Sequence, residues 1–249
     1  MAKRKERVFR MKRFEVRHER SANKVGVDGV LIGSWAGEGG AFSNIMDVGC
    51  GCGLIALMMA QRFPEASVTG IDIDNDAFLE AECNVSLSPW TERVKVSLLD
   101  FDSLMEKLRM GEEGRYDLIV SNPPFFNSGI DSPTTARELA RHAAGLSPRR
   151  LLEEGRNMLT PTGRLAFIAP YTDMEELIGV GEGSGLALGR CCIVRGRPDM
   201  VPKRVMMEWR PQSSPGTGAP VMEELDIETA PGKYDDKYIS LCRDFYIIF

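Results

Sequence analysis

From Asn44 onward short β-rich apolar runs alternate with helical stretches, and that alternation leaves few folds open. Residues 45–48, 67–71, 94–99, 116–121 and 164–169 read as strands, and 54–63, 76–87 and 148–158 as helices. Strand, helix, strand at this spacing demands parallel neighbours joined by right-handed crossovers. The expectation is an α/β fold, a doubly wound Rossmann-like sheet, mostly parallel with an antiparallel late strand. The late strands are expected at 205–210 and 245–249. Ligands of such sheets bind beyond the carboxyl ends of the strands. Three stretches read as connections: a surface turn at 111–114, a flexible segment at 179–185 (GVGEGSG), and a hairpin-like excursion at 211–220 (PQSSPGTGAP). Residues 1–43 form an N-terminal basic extension expected to pack on the core or on a nucleic-acid partner, and 44–249 form the main domain.

At 249 residues, 43% hydrophobic and 27% charged, the composition excludes a disordered, collagenous or disulfide-framework chain. No apolar run reaches the roughly 18 residues of a membrane span, and the charged N-terminus lacks a secretory pattern. A cytoplasmic protein without membrane attachment is expected. Six cysteines form no C-x-x-C pair, and only His18 and His142 are available, so free thiols and no metal are expected. Charge is uneven: residues 1–20 carry nine Lys/Arg against Glu6, Glu15 and Glu19, a local +6 that leaves −11 on the rest. A basic arm on an acidic body points to an anionic partner, with nucleic acid leading and a solvated terminus as the alternative.

The chemistry clusters at strand ends. Asp47-Val48-Gly49-Cys50-Gly51-Cys52-Gly53 follows a strand and opens a helix, so the backbone can approach a ligand closely. The glycines miss the G-x-G-x-x-G spacing of dinucleotide sites, and an acid at this position repels a pyrophosphate but welcomes an ammonium. Asp72 ends the next strand, about twenty residues past the loop, where a carboxylate can accept two ribose hydroxyls. Ile73 beside it can cover one face of an adenine. Asp100 and Phe101 end the third strand, able to accept an exocyclic amine and to stack on its ring.

The sharpest motif is Asn122-Pro123-Pro124-Phe125, directly after strand 116–121. Consecutive prolines remove two backbone donors and stiffen the loop. The Asn122 side-chain oxygen and the Pro123 carbonyl can then hold both hydrogens of a planar NH2 group, with Phe125 stacked on the ring that bears it. A plain strand stop is the bland alternative.

With the glycine loop and Asp72, this motif resembles the S-adenosylmethionine-dependent methyltransferases that modify conjugated amino groups. Residues 14–20 (FEVRHER) and 24–35 (KVGVDGVLIGSW) further resemble the bacterial tRNA1(Val) adenine N6-methyltransferases, as do Asn84, Ser88-Pro89-Trp90 with Arg93, Arg137-Glu138 with Ala140-Arg141, and Phe245-Tyr246. The resemblance covers nearly the whole chain. Val27 departs from the usual Thr, and Phe125-Phe126 from the common Tyr-Tyr. The resemblance implies a methyl transfer to the adenine 3′ of the anticodon, with S-adenosylmethionine as cofactor and tRNA as partner. It implies that Asp47, Gly49 and Gly51 hold the methionine end of the cofactor, Asp72 its ribose, and Asp100 with Phe101 its adenine. Asn122, Pro123 and Phe125 would act on the target base. A monomer is expected.

NPPF also occurs in rRNA guanine N2-methyltransferases, and a protein glutamine N5-methyltransferase presents a similar conjugated amide. The basic arm disfavours the peptide substrate, and the intact NPPF motif disfavours a catalytically silent binding module. Asp28 stands as either a pocket residue or a turn residue, and Arg137 and Arg141 as phosphate ligands or ion-pair partners.

Overall fold

The computed structural model describes residues 8–21, 24–125, 145–216 and 218–249. The extension begins with a hairpin of β1 (Val8–Arg10) and β2 (Glu15–Arg17), then helix α1 (Val27–Trp35). Apolar residues cover almost all of α1, with 29–35 buried, because it lies against both the main sheet and α2 (Leu54–Arg62). Phe14 and Val16 are buried too, with Phe14 edge-on to Trp90. The backbone N–H groups of Glu19, Arg20 and Ser21 all donate to the Glu80 carboxylate. Asn84 pairs with Arg17 through both ends of its amide and also donates to Cys52 O, so one side chain ties the extension to the glycine loop.

β3 (Asn44–Val48), β4 (Ser67–Asp72), β5 (Val94–Leu98), β6 (Tyr116–Ser121) and β7 (Leu159–Pro170) run parallel. β9 (Arg204–Pro211) lies antiparallel between β7 and β8 (Leu186–Arg195), and β10 (Val221–Asp226) runs parallel to β8 at the edge. The order is β10-β8-β9-β7-β6-β3-β4-β5. This is the expected doubly wound, mostly parallel sheet with an antiparallel late strand. The chain works outward from β3 to β5 and returns to β6 on the other side of β3. That reversal opens a crevice beyond the carboxyl ends of β3 and β6.

Period-two alternation buries both faces of the sheet. Ile45, Leu118, Val120, Ala166 and Ile168 face the layer with α1 and α2. Met46, Ile119, Leu165 and Phe167 face the layer built by α4 (Phe101–Met110), α5 (Pro148–Met158) and α6 (Met174–Gly183). Between these helices in sequence, α3 (Asn75–Ser86) follows β4.

Three expectations are corrected. Residues 245–249 form no strand; Tyr246 makes one isolated bridge with Met11, and the aromatic tail packs on Tyr234, in the short hairpin of β11 (Glu228–Ala230) and β12 (Lys233–Tyr234), and on Tyr238 of α7 (Asp236–Cys242). The aromatic residues there serve a side-chain cluster instead of a ladder, which β-propensity cannot distinguish. The glycine-rich 179–185 segment is largely helical, as α6; a Cβ at Gly181 would stand 2.4 Å from the Trp209 ring, so this glycine admits the indole instead of loosening the chain. Finally, 211–220 leads from β9 to β10, which pairs with β8 and in parallel, so no hairpin forms.

Candidate active site

All three glycines after β3 adopt positive φ: Gly49 at 71°, Gly51 at 54° and Gly53 at 81°. Only glycine takes up this region freely, so the loop can turn at alternate residues and deliver Gly53 as the N-cap of α2. The turn is pinned to β4: Gly49 and Cys50 N–H both donate to Ile71 O, and Gly51 N–H donates to Asp72 Oδ2 at 2.8 Å. Asp72 Oδ1 accepts from Asp74 N at 2.9 Å. Burial raises the Asp72 carboxyl, against the backbone N–H groups of Asp74 and Gly51, which lower it.

Asp100 caps α4, accepting from Ser103 N and Ser103 Oγ at 2.8 Å each, and these bonds hold its carboxyl below the ordinary value. Phe101 opens the same helix, buried, with the Arg150 guanidinium 5.4 Å from its ring centre. Ile73 is half exposed. One cleft takes in Gly49, Asp72, Ile73, Asp100 and Phe101, together with Asp74, Leu99, Pro124 and Leu146. Among the described residues its wall carries three carboxylates and no Lys or Arg. Such a wall suits hydroxyl, amine and flat apolar groups.

Asp47 lies beneath the loop, fully buried, outside the cleft wall. Its Oδ2 accepts from Ala56 N at 2.9 Å in the first turn of α2, while Oδ1 has no partner among the described residues. Burial pushes this carboxyl up to about 8. Gly51 also stays off the wall, its N–H already committed to Asp72. Asn122 Oδ1 is likewise buried and unpartnered, Pro123 is buried, and Phe125 packs against both apolar layers.

Sequence reasoning missed Leu146, which stands where a Cβ on Gly49 would come within 2.7 Å, and Arg204, whose guanidinium lies 5.1 Å from the Phe125 ring centre. No local signal marks either; only the fold brings them in. His18 accepts from Val25 N through Nδ1. Lys3, Arg4, Lys5, Arg7, Phe126, Arg137, Arg141 and His142 lie outside the described residues. All six cysteines are free, and burial pushes Cys52 up to about 12 and Cys50 also well up, which keeps these loop thiols protonated. Among the described residues no group of three metal-binding side chains occurs, and no helix is long and apolar enough to cross a membrane.

Residues 36–177 match the family described as the methyltransferase small domain. A tRNA1(Val) (adenine(37)-N6)-methyltransferase from Porphyromonas gingivalis is 41% identical over 243 residues, spanning 96% of this chain and 94% of that protein. Proteins of the same name from Parabacteroides distasonis and Tolumonas auensis are 38% and 35% identical, each over 96% of this chain and over 97% and 96% of their own lengths. A predicted O-methyltransferase of known structure from Agrobacterium tumefaciens matches with a TM-score of 0.64 at 17% identity, covering 88% of this chain and 96% of its own. A SAM-dependent methyltransferase structure from the same organism gives 0.58 at 18% identity, over 83% and 70% of the two chains. These two speak to the fold alone. Sequence and fold together therefore place the chain in the methyltransferase small domain family, where it belongs to the family of tRNA1(Val) (adenine(37)-N6)-methyltransferases.

Proposed function

We propose that this chain transfers a methyl group from S-adenosylmethionine to N6 of the adenine 3′ of the anticodon in tRNA1(Val). The supporting observation is Asn122 Oδ1, a buried acceptor without a partner among the described residues, two residues before Pro124 in the cleft wall. A buried polar atom left unpaired costs about 1–3 kcal/mol, and a ligand that brings an N–H to it removes that penalty.

The cleft fits the cofactor. Asp72 would accept the ribose hydroxyls through lone pairs its backbone partners leave over, and Ile73 and Phe101 would flank the adenine, whose amine Asp100 would accept. Gly49 on the wall would border the methionine end, with Gly51 and Asp47 behind it shaping the loop. S-adenosylmethionine supplies a sulfonium methyl, an electrophile at carbon.

The residues of this chain do the rest by positioning. An exocyclic amine is a weak nucleophile because its lone pair is delocalised into the ring. Hydrogen bonds from both its hydrogens to Asn122 Oδ1 and the Pro123 carbonyl favour a pyramidal nitrogen, whose lone pair then points out of the ring. Preorganised acceptors of this kind supply several kcal/mol without a strong general base. Phe125 stacks on the base, which must leave its neighbours to be reached, as a loop nucleotide readily does. Six free thiols suit the reducing cytoplasm, where we place the reaction.

Incubation with labelled S-adenosylmethionine and separate tRNA, rRNA and protein fractions from a strain lacking the gene tests this. Label in tRNA, recovered as N6-methyladenosine after digestion, is expected. Label in rRNA or protein instead would sink the assignment.

A further inference from the structure

The NPPF loop is backed by two residues that lie 176 positions apart. Asp28, in the first turn of α1, accepts from Arg204 Nε at 2.8 Å, and Arg204 opens β9. A second anchor comes from Arg204 Nη1, which donates to Lys203 O at 3.1 Å. So held, the guanidinium lies 5.1 Å from the centre of the Phe125 ring, within cation–π range. The turn that supplies Asp28 also approaches Asn122: a Cβ on the adjacent Gly29 would lie 4.0 Å from Asn122 Nδ2. One turn of the extension thus approaches Asn122 directly and reaches Phe125 through Arg204.

The Asp28 and Arg204 side chains are 29% and 34% exposed, so the pair stands at the rim of the fold and not in its core. What it does is remove freedom from Phe125. A guanidinium lies over one face of the ring, and its own orientation is fixed by a carboxylate and a carbonyl, so a base stacking on Phe125 would take the opposite face. A surface ordered in advance binds and aligns a partner without first losing that freedom.

We propose that Arg204, oriented by Asp28, is a positioning residue that backs Phe125 and so fixes the ring face on which the target base stacks. The proposal rests on the functional reading above and extends it to residues outside the motif.

The test uses full-length protein, an anticodon stem–loop RNA, and Arg204→Met, Arg204→Lys and Asp28→Asn variants. Arg204→Met should lower the single-turnover methylation rate at saturating RNA by about three- to thirtyfold, the range expected for a lost cation–π contact. Cofactor affinity by calorimetry should stay within about twofold. Arg204→Lys, which keeps the cation but loses the planar fork, should restore part of the rate. With 2-aminopurine at the target position and S-adenosylhomocysteine present, the bound RNA of the Met variant should be less quenched than that of the wild type. Introduced into a Phe125→Ala background, Arg204→Met should have no further effect. A loss that persists undiminished there would mean that Arg204 acts on the RNA directly, and the proposal would fail. Wild-type rate and quenching in Arg204→Met would also overturn it, while wild-type protein that methylates no RNA would instead overturn the functional reading. Asp28→Asn, nearly isosteric, reports the same coupling should the Met variant fold poorly.

Discussion

On the glycine-loop side of the cleft every carboxylate is already at work on the backbone. Asp72 holds Gly51 and Asp74, Asp74 caps α3 by accepting from Asp76 N, and Asp100 caps α4. On the NPPF side, and in the floor beneath the loop, Asn122 Oδ1 and Asp47 Oδ1 have no partner among the described residues. The first side keeps its shape through its own bonds, so a ligand there would meet a finished surface. The second holds polar atoms whose bonding the described residues leave incomplete. Sites of chemistry retain such local conflicts because satisfying them internally would remove the group the reaction uses.

The largest effect expected from this contrast belongs to Asp47. Its folded-state value of about 8 lies above the ordinary 3.8, so the folded protein binds the proton more tightly. That proton stabilises the fold fully below about pH 4, and the benefit is lost as pH rises to about 8, at about 1.4 kcal/mol per pH unit. Urea unfolding of wild type and Asp47→Asn across this window should show the wild type losing stability relative to the variant. Parallel curves would mean that Asp47 is ionised and already satisfied, and the floor would then resemble the glycine-loop side.

Next in size is Asn122→Ala, expected to reduce methyl transfer by about a hundredfold or more while cofactor affinity stays near wild type. Single-turnover kinetics and calorimetry on the same preparation read the two quantities. Equal losses in both would erase the division of labour between the sides. Asp72→Ala should weaken S-adenosylhomocysteine binding by tens to hundreds of fold, about 2–3 kcal/mol, through the lost hydroxyl acceptor and a loosened Gly51 turn. Unchanged affinity would leave Asp72 a scaffold residue only.

The central strands could be read from the sequence because their signal is local: Ile45, Met46 and Val48, or Leu118 to Val120, carry it within five residues. Other elements hid theirs. Helix α1 has apolar or small residues on nearly every side, so no polar face marked it. Helix α4 was obscured because Asp100-Phe101 drew attention as a ligand pair, although Asp100 three places before Ser103 is a capping pattern. The candidate site residues near strand ends carry the same kind of local signal. Leu146 against Gly49, and Arg204 against Phe125, do not, since those contacts follow from strand order and crossover geometry.

The bridge between Met11 and Tyr246, with Lys12 N–H donating to Phe245 O, bears on the order in which the protein is made. A ribosome adding roughly 5–20 residues per second needs roughly ten to fifty seconds to travel from the first of these positions to the second. Throughout that interval the sheet from β3 to β7 can assemble, while Phe9 and Met11 lack the aromatic surface that later covers them. Phe9 and Met11 thus gain their cover later than Phe14 and Arg17, which Trp90 and Asn84 can already hold. A nascent chain stalled before residue 246 would present the glycine loop and NPPF motif on a body whose β2 is docked while β1 still lacks its partner surface.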